Sequence, residues 1–328
     1  MLKITALEEH LVTAGIFEAW RTVPETWQLY GAATGRPDLI DRLLDLGQAR
    51  LADMDDQGID VQVLSVTPPG VQSLGAARAV PLAREANDAI AAAVRAHPGR
   101  FEGFATLPTP DPHAAAEELR RAVTGLGLKG AMIHGRTGSR NLDHPDMTPI
   151  WEAAAELRCP IYLHPQFPDT PVRDAYYSHL GTVADKVFAG PMVGWHYETG
   201  LQLLRLVLAG TFDRFPTLQI ITGHWGEVVL FYLDRITQTQ SWTGLSLQRP
   251  IGDYFARNVS YTGSGILSER YLHWTKEVVG IDRILYATDY PFIDAGNAHD
   301  FLDDAALTAA EREAIAHGNW ERLTAHLG

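Results

Sequence analysis

Short apolar runs and longer amphipathic stretches alternate along the whole chain. The apolar runs are rich in Ile, Val, Leu and Tyr and are nearly continuous, which is typical of parallel strands covered by helices. They predict eight strands, which are Lys3–Leu7, Val61–Val66, Gly103–Leu107, Lys129–Ile133, Pro160–Leu163, Gln219–Thr222, Val259–Thr262 and Arg283–Ala287.

The stretches between these runs have the periodicity of amphipathic helices. In residues 82–97 the apolar side chains recur so that they form one stripe along a helix. A capping box that runs from Thr308 to Glu311 predicts the start of a C-terminal helix. The same periodicity predicts further helices over residues 112–124, 147–157, 199–210, 226–240 and 267–279.

Eight strands interleaved with helices favour a closed (β/α)₈ TIM barrel. An open doubly wound sheet is the alternative, but no G-x-G-x-x-G motif follows the first strand. No linker or low-complexity tract divides the chain, so we expect a single domain over residues 1–328. Residues 11–50 and 165–198 are long insertions after strands one and five, which we expect to shape the active-site mouth.

Charge and cysteine content restrict the partners and the compartment. The chain has 27 Lys and Arg against 40 Asp and Glu, and its net charge of −13 disfavours nucleic acids and anionic membranes as partners. Its one cysteine, Cys159, cannot form an internal disulfide, so the reducing cytoplasm is the expected compartment. We expect no signal peptide and no membrane span, since no apolar run approaches about 18 residues.

Candidate catalytic side chains follow four of the predicted strands, at the end where the chemistry of a barrel is built. Taken singly, a histidine at a strand end is more often a hydrogen-bonded polar residue, and Asp289 could cap a turn before Pro291. Together they place three histidines and at least two carboxylates on one rim. In chain order these residues are Glu8, Glu9, His10, His164, His224 and Asp289.

Four of these residues are predicted to bind one divalent cation. Glu8 and His10 stand two apart on an extended segment, so both side chains leave the same face and Glu9 points towards the helix layer. With His164 and Asp289 they supply imidazole and carboxylate ligands, which suit Zn²⁺, Mn²⁺ or Fe²⁺, with Mg²⁺ possible but less favoured. Positions stay open for water or substrate, so the site is catalytic in kind, and no organic cofactor is predicted.

Several motifs resemble those of the amidohydrolase superfamily over nearly the whole chain. Within it, the chain resembles the branch of aminocarboxymuconate-semialdehyde, γ-resorcylate and 2,3-dihydroxybenzoate decarboxylases, because Glu8 replaces the first histidine of the usual His-x-His motif. The motifs that carry the resemblance are Leu7–His10, Leu163–Pro165, Gly210–Pro216 leading into Gly223–Glu227, and Ala287–Phe292.

The resemblance implies a metal site made by the four ligands named above, with His224 beside it. Binuclear relatives have a carbamylated lysine at the exit of strand four, where this chain has His134 while Lys129 is at the start, so the site is expected to be mononuclear. His134 stands where the resorcylate decarboxylases have an asparagine near the substrate ring, which bears on the choice of substrate. Of the remaining histidines, His134 and His196 are expected to line the pocket.

The resemblance also implies a contact between subunits. Arg235, on the predicted helix after strand six, is implied to reach the substrate of a neighbouring subunit. The alternative is a surface ion pair with Asp234 or Glu227. A homodimer or homotetramer is therefore expected.

We predict a non-oxidative decarboxylase of a hydroxyaromatic carboxylic acid. The substrate would bind the cation through its carboxylate and ortho-hydroxyl groups, and Asp289 would protonate the ring carbon that bears the carboxylate. His224 would stabilise charge on the phenolic oxygen, and Glu227 is also expected to be catalytic. Trp195 and Tyr290 would sandwich the ring, unless they are buried core residues.

Two other functions fit the same barrel. A hydrolase of a lactone, ester or amide would use the cation to generate hydroxide, with Asp289 as general base. A barrel without catalytic activity could serve as a binding or scaffold protein, although the intact ligand set argues against this. Release of CO₂ from hydroxybenzoates distinguishes the first reading from both alternatives.

Overall fold

The computed structural model describes residues 2–30 and 37–327. Parallel pairing connects all of its strands, in the order β1-β2-β3 in one sheet and β4-β5-β6-β7-β8-β9 in the other. The strands are β1 Thr5–Leu11, β2 Val61–Val66, β3 Phe101–Gly103, β4 Ala105–Thr106, β5 Ala131–His134, β6 Ile161–His164, β7 Ile220–Thr222, β8 Val259–Thr262 and β9 Ile284–Leu285.

The two sheets join into one closed barrel. Between β3 and β4, the backbone N–H of Phe104 donates to the carbonyl of Leu64 (2.8 Å), and that of Ala105 donates to the carbonyl of Gly130 (2.8 Å). The segments β3 and β4 therefore act together as one of the eight strands of the barrel. On the other side, the N–H of Leu7 donates to the carbonyl of Tyr286 (2.9 Å) and closes the ring. The prediction of an eight-stranded parallel barrel is confirmed, with strand ends displaced by a few residues.

Helices cover the outside of the barrel and its insertions. They are α1 Ala14–Trp20, α2 Pro24–Tyr30, α3 Pro37–Leu44, α4 Gln48–Gln57, α5 Ala76–Ala96, α6 Pro112–Leu126, α7 Thr148–Leu157, α8 Thr170–Tyr176, α9 Thr182–Val187, α10 Gly194–Leu208, α11 Thr211–Arg214, α12 His224–Glu227, α13 Leu233–Gln238, α14 Ile251–Asn258, α15 Glu269–Val279, α16 Ala298–Asp304, α17 Ala309–Glu313 and α18 Asn319–Thr324. None of the described helices combines the length and the low polarity needed to cross a bilayer.

A local signal in the sequence sets the start of the C-terminal helix, but one predicted helix is wrong. The predicted capping box is present, since Thr308 and Glu311 bond each other's backbone N–H at the start of α17. The predicted helix over residues 226–240 is instead broken into α12, a 3₁₀ turn at Leu230–Tyr232 and α13. The break has a local cause, because α12 has left-handed backbone angles that a right-handed helix cannot continue.

Two layers of side chains fill the fold and hold the strand ends in place. One layer packs between the strands and the outer helices, and the other fills the barrel interior. The interior layer consists of Leu7, Val63, Phe104, Met132, Tyr162, Ile221, Leu285, Ala287 and Trp320. Trp320 is 2% exposed and donates from Nε1 to Glu102 (2.7 Å), so this barrel is a packed core and not a pore.

The two predicted insertions follow the carboxyl ends of β1 and β6. The first, residues 11–50, contains α1, α2, α3 and the start of α4, and its residues 31–36 lie outside the described residues. The second, residues 165–198, contains α8, α9 and the start of α10. Both insertions therefore leave from the end of the barrel where β1 and β6 deliver their polar side chains.

Candidate metal centre

The four predicted ligands come together at the carboxyl end of the barrel. Glu8 and His10 lie in β1, His164 ends β6, and Asp289 follows β9. One ligand atom from each of the four lies within 4.8 Å of the others. The first three are buried and Asp289 is partly buried, so the group lies at the bottom of the barrel mouth.

The backbone at Glu8 differs from the extended strand that the spacing argument assumed. Glu8 has a φ of 61°, and the register between β1 and β2 shifts between Ala6 and Glu9. This bulge aims the Glu8 carboxylate at the other ligands. Glu9 is directed elsewhere, since its carboxylate accepts hydrogen bonds from Gln62 Nε2 (3.0 Å) and from the backbone N–H of Thr288 (3.0 Å).

The hydrogen bonds of the two histidines leave the correct nitrogen free for a metal. The carbonyl of Pro165 can only accept, so His164 donates Nδ1–H to it (2.8 Å) and keeps a lone pair on Nε2. Nδ1 of His10 lies 3.2 Å from Oγ of Ser65, which holds the ring with Nε2 towards the centre. Burial lowers the pKa of His10 well below its ordinary value, and the neutral form is the one that binds metal.

The atoms that face the centre fit a cation. Oε1 of Glu8 and Nε2 of His10 are buried and make no hydrogen bond within the described structure. Nε2 of His164 lies 3.1 Å from Oε1 of Glu8, and Nε2 of His10 lies 3.4 Å from Oδ1 of Asp289. Two imidazole nitrogens and two carboxylate oxygens thus face one another, and this is the kind of ligand set that binds a divalent ion.

The charges of the two carboxylates point to the same conclusion. Burial works to raise the pKa of Glu8, but the His164 ring next to its carboxylate and the charge of His224 outweigh burial and hold that pKa below its ordinary value. Burial, together with the charge of Glu8, raises the pKa of Asp289 well above its ordinary value. Two carboxylates whose oxygens lie within 4.8 Å of each other repel when both are ionised, and a cation between them removes that repulsion.

A group of hydroxyl groups holds the second oxygen of Glu8. The Tyr162 hydroxyl donates to Oε2 of Glu8 (2.5 Å), Ser264 donates to the same oxygen, and Thr262 lies 2.7 Å from the Tyr162 hydroxyl. Oε1 is thereby left for the metal. The sequence analysis missed these hydrogen-bond donors. Tyr162 could have been predicted, because it lies two residues before His164 on β6 and side chains two apart on a strand leave the same face.

A second group of titratable side chains lies beside the ligands. Glu227 is fully buried and accepts a hydrogen bond on each oxygen, from His224 Nδ1 (2.7 Å) and from His196 Nδ1 (2.7 Å). Burial works to lower the pKa of His224, but the charge of Glu227 outweighs it and raises the pKa to about 10. The contact with Glu227 therefore favours the protonated form of His224 next to the predicted metal site. For His196, the sequence predicted only a position in the pocket wall.

The segment that carries His224 and Glu227 is strained. Five consecutive residues have positive φ: His224 (47°), Trp225 (58°), Gly226 (90°), Glu227 (51°) and Val228 (62°). Each non-glycine residue in this region costs about 1–2 kcal/mol. Strain of this kind persists only where surrounding contacts impose it, and it is concentrated at functional sites.

Two of the predicted substrate contacts lie beside the ligands. The ring of His134 is 5.4 Å from that of His164 between centroids, and the Trp195 ring is 6.4 Å from it. His134 bonds the carbonyl of Val66 through Nε2 (3.0 Å), while its buried Nδ1 makes no hydrogen bond within the described structure. Because Nε2 must donate to the carbonyl, Nδ1 presents a lone pair.

Tyr290 is not placed as predicted. Its side chain is 1% exposed, its ring lies against the guanidinium groups of Arg42 (4.7 Å) and Arg50 (4.5 Å), and its hydroxyl donates to Asp53 (2.8 Å). The ring therefore packs towards α3 and α4, because the backbone N–H of His10 pairs with the carbonyl of Tyr290 and turns the side chain outwards. The expectation that Tyr290 sandwiches the substrate ring is wrong.

Arg235 lies on α13 with an exposed side chain, outside the group of ligands. Its proposed alternative partners do not pair with it in the described structure, since Glu227 is occupied by His196 and His224. A groove of about 680 Å³ opens beside His224. Its lining includes His196, His224, Phe231, Tyr271 and Trp274.

The packing around Glu8 predicts a metal-affinity defect in Gly223→Ala. Gly223 has an ordinary φ of −79°, but a Cβ there would lie 2.5 Å from Ser264 Oγ and 3.1 Å from Glu8 Oε2. The methyl group must displace the donors that hold Glu8, and we expect Mn²⁺ affinity to fall about 10- to 100-fold by isothermal titration calorimetry. Gly125→Ala, in α6 with open space around it, is the matched control and should bind as wild type. Equal affinities in both variants would contradict the role of the hydroxyl groups.

Comparison with known proteins agrees with this geometry. The amidohydrolase family model matches residues 34–323. The γ-resorcylate decarboxylase of Polaromonas sp. (strain JS666) is 36% identical over 331 residues, which cover 97% of each chain.

Solved structures give the same result. The crystal structure of 5-carboxyvanillate decarboxylase from Sphingomonas paucimobilis is 33% identical and superposes with a TM-score of 0.91 over 99% of each chain. A dihydroxybenzoic acid decarboxylase from Polaromonas sp. JS666, with bound manganese and the inhibitor 2-nitroresorcinol, is 34% identical, with a TM-score of 0.86 over 99% of this chain and 97% of that one. The resemblance inferred from the motifs is confirmed: the chain belongs to the amidohydrolase family, in the branch that contains the γ-resorcylate decarboxylases.

Proposed function

We propose that the chain is a metal-dependent decarboxylase of a hydroxybenzoate. The observation that carries this proposal is the buried group of two imidazoles and two carboxylates with a cationic His224 beside it, in a chain of the decarboxylase branch. The relatives reported above are decarboxylases, so neither the hydrolase nor the inactive barrel is carried forward.

We propose one divalent ion held by Glu8, His10, His164 and Asp289. When bound, it would polarise the carboxylate and the phenolic oxygen of the substrate and hold both in place. Manganese is favoured over zinc because the relative from Polaromonas was crystallised with manganese. The mixed nitrogen and oxygen ligand set is compatible with either ion, and Mg²⁺ is less favoured.

The protein's own residues supply and direct the proton. In the overall reaction the ring carbon gains a proton, the electron pair of the ring–carboxylate bond returns to the ring, and CO₂ leaves. Asp289 is proposed as the proton carrier because its side chain is 16% exposed at the mouth, while those of Glu8 and His10 are fully buried. Since Glu227 holds Nδ1 of His224, Nε2 is left to stabilise negative charge on a phenolic oxygen.

We propose that two side chains select the substrate. His134 presents the buried lone pair of Nδ1, which can accept a hydrogen bond from a substrate hydroxyl group. Trp195 is half-buried, 6.4 Å from the His164 ring and 5.8 Å from that of Phe167, where its face can pack against an aromatic ring. Together they favour a substrate with a hydroxyl group on the ring, and no contact is proposed for Tyr290.

We also propose a homodimer or homotetramer in which Arg235 contributes to a neighbouring site. The segment before Arg235 borders an apolar groove, in which Phe231 is 74%, Tyr232 51% and Met192 65% exposed. Large exposed apolar side chains in one region are typical of association surfaces. A guanidinium delivered by a second copy would pair with the carboxylate of the substrate.

Two expectations from the sequence stay predictions. The assignment of residues 1–328 to a single domain is one of them. The other is a cytoplasmic location, supported by the single cysteine, Cys159, which is buried and unpaired in the described structure. A small aromatic carboxylate is the proposed partner, and nucleic acids and membranes stay disfavoured by the net charge of −13.

The proposed activity predicts CO₂ release from a panel of hydroxybenzoates that includes 2,6-dihydroxybenzoate and 5-carboxyvanillate. Asp289→Asn keeps an oxygen ligand but cannot deliver a proton, so we expect kcat to fall about 10²- to 10⁴-fold. Metal content, measured by plasma mass spectrometry, is the control and should stay near one ion per chain. A variant that retains its metal and decarboxylates at the wild-type rate would show that Asp289 is not the proton carrier.

The proposed assembly predicts that Arg235→Met lowers kcat/KM about 10- to 100-fold, because a charge-assisted hydrogen bond to the substrate is lost. The test is complementation: Arg235→Met and Asp289→Asn chains, each impaired alone, are unfolded together and refolded as mixed oligomers. Activity should return in the mixture, since each variant supplies the residue that the other lacks. Light scattering establishes the oligomer, and a monomeric, fully active protein would contradict the proposal.

A further inference from the structure

The contact between His196 and Glu227 lies outside the proposed metal site but acts on it. Glu227 has 0% exposure, and each of its two oxygens lies 2.7 Å from one imidazole nitrogen, His224 Nδ1 on one side and His196 Nδ1 on the other. The two imidazole rings are 4.5 Å apart between centroids. A single buried carboxylate thus connects the residue beside the ligands to a residue in the wall of the groove.

The direction of these hydrogen bonds follows from the charge of Glu227. Burial works to raise the pKa of Glu227, but the charge of His224 and the hydrogen bonds from His196 and His224 outweigh burial and keep that pKa below its ordinary value. An ionised carboxylate only accepts, so both histidines donate their Nδ1–H to it. On the other side of the ring, Nε2 of His196 accepts a hydrogen bond from Nε1 of Trp195 (3.1 Å).

Loss of the His196 side chain would remove one of the two hydrogen-bond donors to the Glu227 carboxylate. Oε2 would become a buried, charged acceptor without a donor, which costs more than the net value of the hydrogen bond itself. Glu227 also lies in the left-handed turn, with a φ of 51°, so its backbone is held by contacts and not by its own preference. The carboxylate would then rotate towards another donor and release His224 from its orientation.

We infer that His196 is a positioning residue that fixes Glu227, and through Glu227 holds the His224 imidazole in its catalytic orientation. The inference rests on the proposed function, in which His224 stabilises charge on the substrate. It assigns to His196 a role that does not require contact with the substrate. Two other roles are possible for a histidine in this wall: a direct substrate contact, or a ligand to a second metal ion shared with His224 and Glu227.

Three substitutions separate these roles. His196→Ala removes the donor. His196→Asn keeps an N–H at the position of Nδ1, whereas His196→Gln places its N–H at the position of Nε2, so the two amides differ only in reach. We expect kcat to fall about 10- to 100-fold in the alanine and glutamine variants, with KM within about twofold, and to recover most of its value in the asparagine variant.

A second readout does not depend on activity. In metal-free protein with ¹⁵N-labelled histidine, the Nδ1–H protons bonded to Glu227 should give two downfield NMR signals. His196→Ala should remove one and shift the other, and His196→Asn should restore the His224 signal. If the wild-type protein decarboxylates no hydroxybenzoate, the proposed function is contradicted. The NMR measurement still tests the coupling between His196 and His224 in that case.

Several results would overturn the inference. An asparagine variant as impaired as the alanine variant would show that the Nδ1–H donor is not what matters. A rise in KM with unchanged kcat would indicate direct contact with the substrate. Two metal ions per wild-type chain, reduced to one in His196→Ala, would make His196 a ligand, and an unshifted His224 signal would show that Glu227 does not couple the two rings.

Discussion

The repulsion between two buried carboxylates is the constraint on which the rest of the structure depends. Glu8 and Asp289 come from opposite ends of the chain and meet at the junction between β1 and the segment after β9, where the barrel closes. Burial and the charge of Glu8 raise the pKa of Asp289, so Asp289 holds a proton until a cation lies between the two carboxylates. Metal binding and the release of the Asp289 proton are therefore linked, because the ion neutralises the charges that barrel closure brings together.

The backbone is strained at the same end of the barrel. Glu8 (φ 61°), Asp289 (φ 61°) and His224 (φ 47°) all adopt a backbone conformation that their side chains disfavour. The packed interior beneath them and the hydroxyl groups of Tyr162 and Ser264 hold them in place. The packing of the barrel thus compensates for the unfavourable backbone conformations, and the ligands are arranged before a metal binds.

Sequence reasoning identified the parts of this site that follow from strand position. Periodicity indicated the strands, and a parallel barrel places all their carboxyl ends together, so the convergence of Glu8 and Asp289 could be predicted. The direction of side chains on irregular backbone could not be predicted in this way. Tyr290 turns outwards because its carbonyl pairs with His10, and the role of His196 depends on a left-handed turn that helical periodicity describes as a helix.

The most direct test of the central claim is anomalous diffraction from crystals of the protein loaded with Mn²⁺, with data collected at the manganese edge. One strong peak per chain should lie about 2.0–2.3 Å from the nearest donor atoms of Glu8, His10, His164 and Asp289. Absence of a peak there at saturating Mn²⁺, or a peak between His196 and Glu227 in its place, would contradict the account.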